Sequence, residues 1–201
     1  MKLYYSPGAC SLASHIALLE AGIPFQAIRV GRDKKTSDGA DFNAINPKGY
    51  VPALGLDDGQ VLTEGTAVLQ YIADRNPAAG LAPPAGDMQR YRLQEWLGYI
   101  TSEIHKPFSP FFNPATTEQA KEAAKAVLAR RLGYAEQALG DKPFLLGERF
   151  TVADAYLFTI LGWGQYAGVD IGQWPKLKAL HTRVGSRPKV QAAMKAEGLL
   201  K

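Results

Sequence analysis

Hydrophobic and polar positions divide the chain into a mixed first part and a helical second part. Up to residue 76 the pattern changes every few residues, whereas beyond residue 86 apolar side chains recur at the helical period of about 3.6 residues. The first part begins with a predicted strand at Leu3–Tyr5, a helix over Ser11–Gly22 and a second strand at Phe25–Val30. A strand, a helix and a strand within so short a stretch predict a parallel pair joined by a crossover helix.

A hairpin and another helix complete the first part. Ala53–Leu56 and Gln60–Thr63 are short apolar runs on either side of a turn at Asp57-Asp58-Gly59. Apolar residues then return to one side of a helix over Glu64–Asn76. The predicted order is therefore β-α-β followed by β-β-α.

The segment from Pro77 to Gly86 contains three prolines and two glycines, which is typical of a linker. We expect a first domain over residues 1–77, a linker at 78–86 and an all-helical domain over 87–201. The helical domain shows no internal repeat and no strand-like alternation.

Composition narrows the class of protein. The 201 residues are 46% hydrophobic and 21% charged, which suits a globular chain with a sizeable core. The net charge is only +4 without a cluster of basic residues, so we expect no nucleic-acid partner. The N-terminus lacks the apolar core of a signal peptide and no segment is long enough to cross a membrane, which predicts a cytoplasmic protein without a membrane partner. One cysteine and three histidines make a disulfide framework or a metal site unexpected.

Cys10 stands at the predicted junction of the first strand and the first helix. A helix N-terminus favours an anion, so this position predicts a thiol more acidic than that of a free cysteine. Ser11, the next residue, could cap the helix or donate a hydrogen bond to a sulfur. The alternative is that Cys10 is a buried, inert residue. A dithiol mechanism is excluded because the residue at position 13 is Ala.

Two backbone segments of the first part could recognise a ligand. Pro52 enters a β-prone run, and a cis Val51–Pro52 bond would leave the Val51 backbone free to pair with an extended peptide. Residues 63–66 open the next helix, where N–H groups can hold a carboxylate. A simple helix cap is the alternative explanation for that segment.

In the second part, Gly98, Ser102 and His105 recur at helical spacing on a stripe distinct from the apolar one. They predict either a solvated face or a stripe from which His105 donates a hydrogen bond to a ligand. Thr151 and Asp154 form a capping box, which is a structural role. Several aromatic residues could line an apolar pocket: Phe108, Phe111, Phe112, Trp163 and Tyr166.

Five ordered motifs give the whole chain a resemblance to the cytosolic glutathione S-transferases, and in particular to the bacterial beta class. The resemblance implies a thioredoxin-like α/β N-terminal domain that binds glutathione and an all-α C-terminal domain with the pocket for a hydrophobic substrate. The motifs are Met1–His15, Asn46–Gly49, Val51–Leu54, Leu62–Gly65 and Phe150–Phe158.

The resemblance also implies site residues and partners. Cys10, Ser11 and His105 match the residues of the family's thiol site, and a tyrosine-type mechanism at Tyr5 fits less well. Gly98 stands where the family often has Asn. The family further implies a homodimer, a site between the two domains, and glutathione as co-substrate without a resident cofactor or metal. The positions that match its glutathione contacts are Cys10, Lys35, Val51, Glu64, Gly65, Gly98, Ser102 and His105.

These observations predict an enzyme that conjugates glutathione to electrophilic hydrophobic compounds. One alternative is a glutathione-dependent disulfide reductase or dehalogenase, in which Cys10 forms a mixed disulfide with glutathione. Another is a non-catalytic ligand-binding protein that keeps this fold.

Overall fold

The structure is a computed structural model and describes residues 1–200. The chain forms two compact units, one built from residues 1–82 and 186–200 and the other from residues 83–185. The strands and helices, in chain order, are β1 Lys2–Tyr5, α1 Ser11–Glu20, β2 Gln26–Arg29, α2 Phe42–Ile45, β3 Ala53–Gly55, β4 Val61–Thr63, α3 Gly65–Arg75, α4 Met88–Tyr99, α5 Ser109–Phe112, α6 Glu118–Leu139, α7 Val152–Leu161, α8 Gly164–Ala167, α9 Pro175–Gly185 and α10 Pro188–Ala196.

A four-stranded sheet in the order β2-β1-β3-β4 organises the first unit. β1 runs parallel to β2 and antiparallel to β3, and β3 pairs with β4 as an antiparallel hairpin. The predicted parallel pair and the predicted hairpin are both confirmed. Leu3 and Leu54 face each other across the central ladder and are fully buried, as is Ile16 on α1. Burial of these apolar side chains holds the sheet and its helices together.

The last helix belongs to a different unit from the one predicted. The sequence placed residues up to 201 in the helical domain, whereas residues 186–200 pack with the first unit. Val190 and Ala193 of α10 are fully buried there. Arg187 also forms a two-pronged ion pair with Glu20 at the end of α1, with nitrogen–oxygen distances of 2.7 and 2.9 Å. Helical periodicity identifies a helix but not the surface it packs against, which explains the difference.

The second unit consists of helices α4 to α9, as predicted for an all-α region. Every residue of α7 is buried, because its sequence is almost entirely apolar. Thr151 and Asp154 form the predicted capping box at its start, and Asp154 also accepts the Leu145 N–H at 2.8 Å. After α4 the chain continues through a π-helical segment, Ile100–His105, and a short 3₁₀ turn at Lys106–Phe108.

Two features are absent from residues 1–200. None of the helices in that range is both long and apolar enough to cross a membrane. Within the same range, no group of three His, Cys, Asp or Glu side chains is arranged to hold a metal ion.

Candidate active site

Cys10 is the half-buried residue that caps the start of α1. Its Sγ donates a hydrogen bond to the carbonyl oxygen of Val51 at 3.3 Å. Loss of solvent raises the pKa of the Cys10 thiol to about 11, and the N–H groups of Cys10 and Ser11 oppose this rise only in part. The prediction of an unusually acidic thiol is therefore wrong: the helix N-terminus acts in the expected direction, but desolvation is the larger effect.

Ser11 has a fully buried side chain that closes the turn between β1 and α1. Its Oγ accepts the Ser6 N–H at 3.2 Å and donates to the Ser6 carbonyl oxygen at 3.3 Å. The predicted roles as a helix cap or as a donor to a sulfur do not fit these contacts, because both hydrogen bonds of the hydroxyl run to Ser6.

The turn that carries Cys10 is also held from the C-terminal segment. Glu197, which follows α10, is buried and accepts the Gly8 N–H at 2.9 Å through one carboxylate oxygen. Its other oxygen lies 3.0 Å from Nδ1 of the buried His15 on α1. Sequence analysis missed this support, since nothing in the local pattern connects residues so far apart.

Val51 offers part of its backbone to a ligand. The Val51–Pro52 bond is cis, which confirms the prediction. The Val51 carbonyl accepts the Cys10 thiol, so only half of the predicted free peptide edge is open. The Val51 N–H makes no hydrogen bond within the described residues.

Glu64 precedes α3 in a strained backbone conformation, with φ 67° and ψ 115°. Such a positive φ is uncommon for a residue with a side chain, and strain of this kind clusters at functional sites. The carboxylate is 67% exposed and pairs with Lys48 Nζ at 2.5 Å. Lys48 also donates to Thr63 Oγ1 at 3.1 Å. Sequence analysis assigned no role to Lys48, although its ammonium group pairs with the Glu64 carboxylate that is predicted to contact the ligand.

The start of α3 lies beside the cis-proline segment. A Cβ added at Gly65 would lie 3.8 Å from Pro52 Cγ, which is ordinary contact. The Glu64 side chain makes no capping hydrogen bond to the first N–H groups of the helix. The predicted positions Val51, Glu64 and Gly65 are therefore brought together with Cys10 in one unit.

The two adjacent lysines of the polar loop make different contacts. Lys35 is exposed, and its backbone N–H bonds to Asp33. Its neighbour Lys34 instead donates from Nζ to the Gly49 carbonyl at 2.7 Å and lies 5.8 Å from the Tyr50 ring centroid. Lys35 therefore stays a prediction as a ligand contact, and its side chain is exposed to meet one.

In the second unit, the predicted stripe separates into a surface pair and an inward-facing histidine. Ser102 Oγ donates to the Gly98 carbonyl at 3.1 Å, and both residues are exposed. A Cβ at Gly98 would meet nothing within 4 Å, so the side chain that the family often carries there has room. His105 is half-buried, and the ordinary helical spacing is altered because the segment is π-helical.

His105 lies against a phenol and an indole. Its Nδ1 is 2.6 Å from the hydroxyl of Tyr156, a residue that sequence analysis assigned no role. The imidazole also meets the Trp163 ring edge to face, with centroids 4.8 Å apart. Burial lowers the pKa of His105 to about 4, which keeps the ring neutral at pH 7.

Trp163 is the centre of the predicted aromatic pocket. Phe108 and Phe112 meet its ring at centroid distances of 5.8 and 5.2 Å. Phe108 is fully buried and belongs to the core, whereas Phe112 is 52% exposed. Phe111 packs on Phe108, and Tyr166 is 68% exposed without a ring contact to this group. The five predicted aromatic residues therefore divide into core and surface members.

Comparison with known proteins agrees with this arrangement. Residues 8–75 match the family model described as the glutathione S-transferase N-terminal domain, and residues 99–188 match that of the C-terminal domain. The chain is 48% identical to the glutathione S-transferase GstA of Escherichia coli O157:H7, over 99% of this chain and 100% of that protein.

Two solved structures are similar over the full length. A ternary complex of BphK, a bacterial glutathione S-transferase, superposes with a TM-score of 0.97 at 53% identity, covering 99% of this chain and 100% of that one. A sphingomonad glutathione S-transferase complexed with glutathione has a TM-score of 0.96 at 49% identity, covering 100% of both chains. The chain belongs to the glutathione S-transferase family and is an enzyme that transfers glutathione.

Proposed function

We propose that the enzyme conjugates the thiolate of glutathione to hydrophobic electrophiles. The first unit, residues 1–77 in particular, binds the tripeptide, and the helical region from residue 87 provides the pocket for the second substrate. The observation that carries the proposal is the grouping of Cys10, the cis-proline segment Val51–Pro52 and Gly65. It brings the Val51 N–H, which makes no hydrogen bond within the described residues, next to the start of α3.

The charges of glutathione suit that row. The tripeptide has two carboxylates, one ammonium group and a thiol. The N–H groups of Gly65 and Thr66 bind the γ-glutamyl carboxylate, and Glu64 binds the ammonium group. The Val51 N–H pairs with the backbone of the cysteinyl residue. Lys35, with Lys34 beside it, meets the glycyl carboxylate.

The conjugation step needs a thiolate. A free thiol has a pKa near 8.5, so only a few per cent is ionised at pH 7. The glutathione S–H gives its proton to solvent, the sulfur forms a bond to the electrophilic carbon, and the leaving group departs with the electrons of its bond. His105 donates a hydrogen bond to the sulfur, and Trp163 and Phe112 present apolar surface to the electrophile.

Cys10 contributes less to this step than the sequence suggested. With a pKa raised to about 11 by burial, about one thiol in ten thousand is ionised at pH 7. A mixed disulfide with glutathione would have to form by attack from that small fraction. This disfavours the disulfide reductase, although Cys10 still lines the site.

The oligomeric state and the cellular location that we expect are those typical of the family. We expect a cytoplasmic homodimer that uses glutathione as co-substrate without a resident cofactor, as is typical of the family. Large apolar side chains exposed on α4 and α6, namely Met88, Tyr91 and Tyr134, suit a surface covered by a second copy. Sedimentation giving a 21.8 kDa species at micromolar concentration would contradict the dimer.

The test of the proposed function is a product analysis with glutathione and chlorodinitrobenzene. We expect a stable thioether conjugate and released chloride. Titration calorimetry with glutathione alone should show saturable binding. S-methylglutathione, which lacks the thiol, should bind but not react. Release of oxidised glutathione with a reduced co-substrate, and no conjugate, would contradict the proposal in favour of the disulfide chemistry.

A further inference from the structure

Lys48 connects the loop before the cis-proline segment with the start of α3. Its Nζ donates to Glu64 Oε1 at 2.5 Å and to Thr63 Oγ1 at 3.1 Å. Thr63 ends β4 and Glu64 immediately precedes α3, so the lysine contacts two elements of the first unit. An ammonium group has three N–H donors, and within residues 1–200 the Lys48 side chain uses two of them. The third N–H is available to a ligand.

The backbone that carries Lys48 is held by a buried amide. Asn46 is buried, and its Oδ1 accepts the Lys48 N–H at 3.2 Å while its Nδ2 donates to the Tyr50 carbonyl at 2.7 Å. The Asn46 carbonyl also accepts the Gly49 N–H at 2.8 Å. Lys34 holds the same loop through its bond to the Gly49 carbonyl at 2.7 Å. These contacts fix the Lys48 backbone independently of the ion pair with Glu64.

Glu64 has one carboxylate oxygen that remains open. Lys48 occupies Oε1, whereas Oε2 makes no hydrogen bond within residues 1–200. Both side chains of the pair are more than half exposed, and an exposed ion pair of this kind contributes little to stability. The pair instead presents an acceptor with negative charge beside a donor with positive charge.

We propose that Lys48 and Glu64 together recognise the zwitterionic head of a γ-glutamyl group, with its ammonium group on Glu64 Oε2 and its α-carboxylate on the third N–H of Lys48. This inference rests on the proposed function and adds Lys48 to it as a specificity-determining residue. Both charged groups of that head are attached to one carbon atom, so two opposite charges in contact with each other can bind both. The Lys48 ammonium group adds a charge-assisted hydrogen bond to those from the N–H groups of Gly65 and Thr66.

This pairing predicts which ligands the enzyme discriminates against. A ligand without the α-carboxylate offers no partner to the third N–H of Lys48, whereas a ligand without the ammonium group keeps that contact. The contribution of Lys48 to binding should therefore depend on the α-carboxylate of the ligand and not on its ammonium group.

The test is titration calorimetry with S-methylglutathione and two synthetic analogues of it. One carries γ-aminobutyryl in place of γ-glutamyl and lacks only the α-carboxylate; the other carries glutaryl and lacks only the ammonium group. We expect Lys48→Met to weaken binding of S-methylglutathione and of the glutaryl analogue about tenfold, and binding of the γ-aminobutyryl analogue less than threefold. A loss for the γ-aminobutyryl analogue as large as that for S-methylglutathione would overturn the proposal, since Lys48 would then act only through Glu64.

The matched control is Lys189→Met. Lys189 is an exposed lysine of α10 in the same unit, and this variant should bind all three ligands within twofold of wild type. Circular dichroism checks that each variant is folded. If Lys48→Met does not fold, Lys48→Gln, which removes the charge but keeps a polar side chain, repeats the measurement with the same expected pattern.

The outcomes separate this inference from the proposed function. If Lys48→Met shows the expected dependence on the α-carboxylate but wild type forms no conjugate with chlorodinitrobenzene, the proposed conjugation fails and the recognition by Lys48 stands. If wild type forms the conjugate and Lys48→Met binds S-methylglutathione within twofold of wild type, the recognition by Lys48 is overturned and the conjugation stands.

Discussion

Cys10 in the first unit and His105 in the second are both half-buried. The sequence predicts that both contact the sulfur of glutathione. Burial keeps both neutral, raising the pKa of the cysteine and lowering that of the histidine. They differ in their hydrogen-bond partners. The Cys10 thiol donates a hydrogen bond to the Val51 carbonyl, whereas His105 Nδ1 lies 2.6 Å from the Tyr156 hydroxyl of a neighbouring helix. The extent of desolvation alone therefore does not decide which of the two groups can contact the glutathione sulfur, because their hydrogen-bond partners differ.

Their supports differ as well. The Cys10 turn is held by a buried carboxylate, Glu197, through Gly8 and His15. His105 is held by one phenol and an indole ring. The first arrangement ties the site to overall stability, while the second affects the orientation of a single ring.

The largest effect is expected from Glu197→Ala. The change removes the carboxylate that accepts the Gly8 N–H and faces the buried His15, and we expect a loss of about 3 kcal/mol in the free energy of unfolding. Chemical denaturation followed by fluorescence measures it. Glu95→Ala, which removes an exposed ion pair with Arg92, is the control and should not shift the midpoint. Equal midpoints for the two variants would show that the turn does not depend on Glu197.

The reactivity of Cys10 tests the claim that burial outweighs the helix N-terminus. A pKa near 11 against an ordinary value of 9.0 implies alkylation by iodoacetamide about a hundredfold slower at pH 7 than for a cysteine in an unfolded peptide. The rate should still rise about tenfold per pH unit up to pH 9. A rate that levels off below pH 8 would mean an acidic thiol after all. The denatured protein serves as its own reference.

The pH dependence of stability tests the other half of the comparison. The folded-state pKa of His105, about 4, lies below its ordinary value of 6.5, so the unfolded chain binds more protons between these values. Its contribution therefore falls as pH drops from 6.5 toward 4, by about 3 kcal/mol. Burial raises the pKa of Asp154 to about 6, which acts in the opposite direction, so the comparison must be wild type against His105→Gln. Parallel stability curves for the two proteins would contradict the neutral, buried histidine.

Much of the fold was predictable, because periodicity and turn residues act locally. The β-α-β unit, the hairpin, the helical second part and the Thr151–Asp154 capping box all follow from residues near one another in the chain. The position of α10 was not predictable in this way, since its contacts with α1 join residues more than 160 positions apart.

The candidate site was predictable only in part, for the same physical reason. Val51, Glu64 and Gly65 lie in recognisable motifs, and the structure brings them together with Cys10. Pattern could not find Tyr156, because its contact with His105 joins residues far apart in the chain. The sign of the Cys10 pKa shift was wrong because a helix N-terminus is visible in a sequence and the degree of burial is not.

A smaller effect separates the two sulfur-site residues in kinetics. His105→Ala should lower kcat/KM for conjugation about tenfold or more, because a hydrogen bond to a charged sulfur contributes about 1.5–3 kcal/mol. Cys10→Ala should lower it less than threefold, because its thiol is already bonded to Val51. A larger loss in Cys10→Ala than in His105→Ala would mean that Cys10 is the main contact of the glutathione sulfur. Circular dichroism on both variants excludes unfolding as the cause.

The pKa of glutathione bound to the enzyme tests the central claim most directly, and ultraviolet absorbance of the thiolate measures it during a pH titration. We expect the bound thiol to titrate at least about one unit below its free value near 8.5 in wild type and in Cys10→Ala. In His105→Ala the pKa should return most of the way to the free value. A lowered pKa that survives the loss of His105 and disappears with the loss of Cys10 would contradict the account.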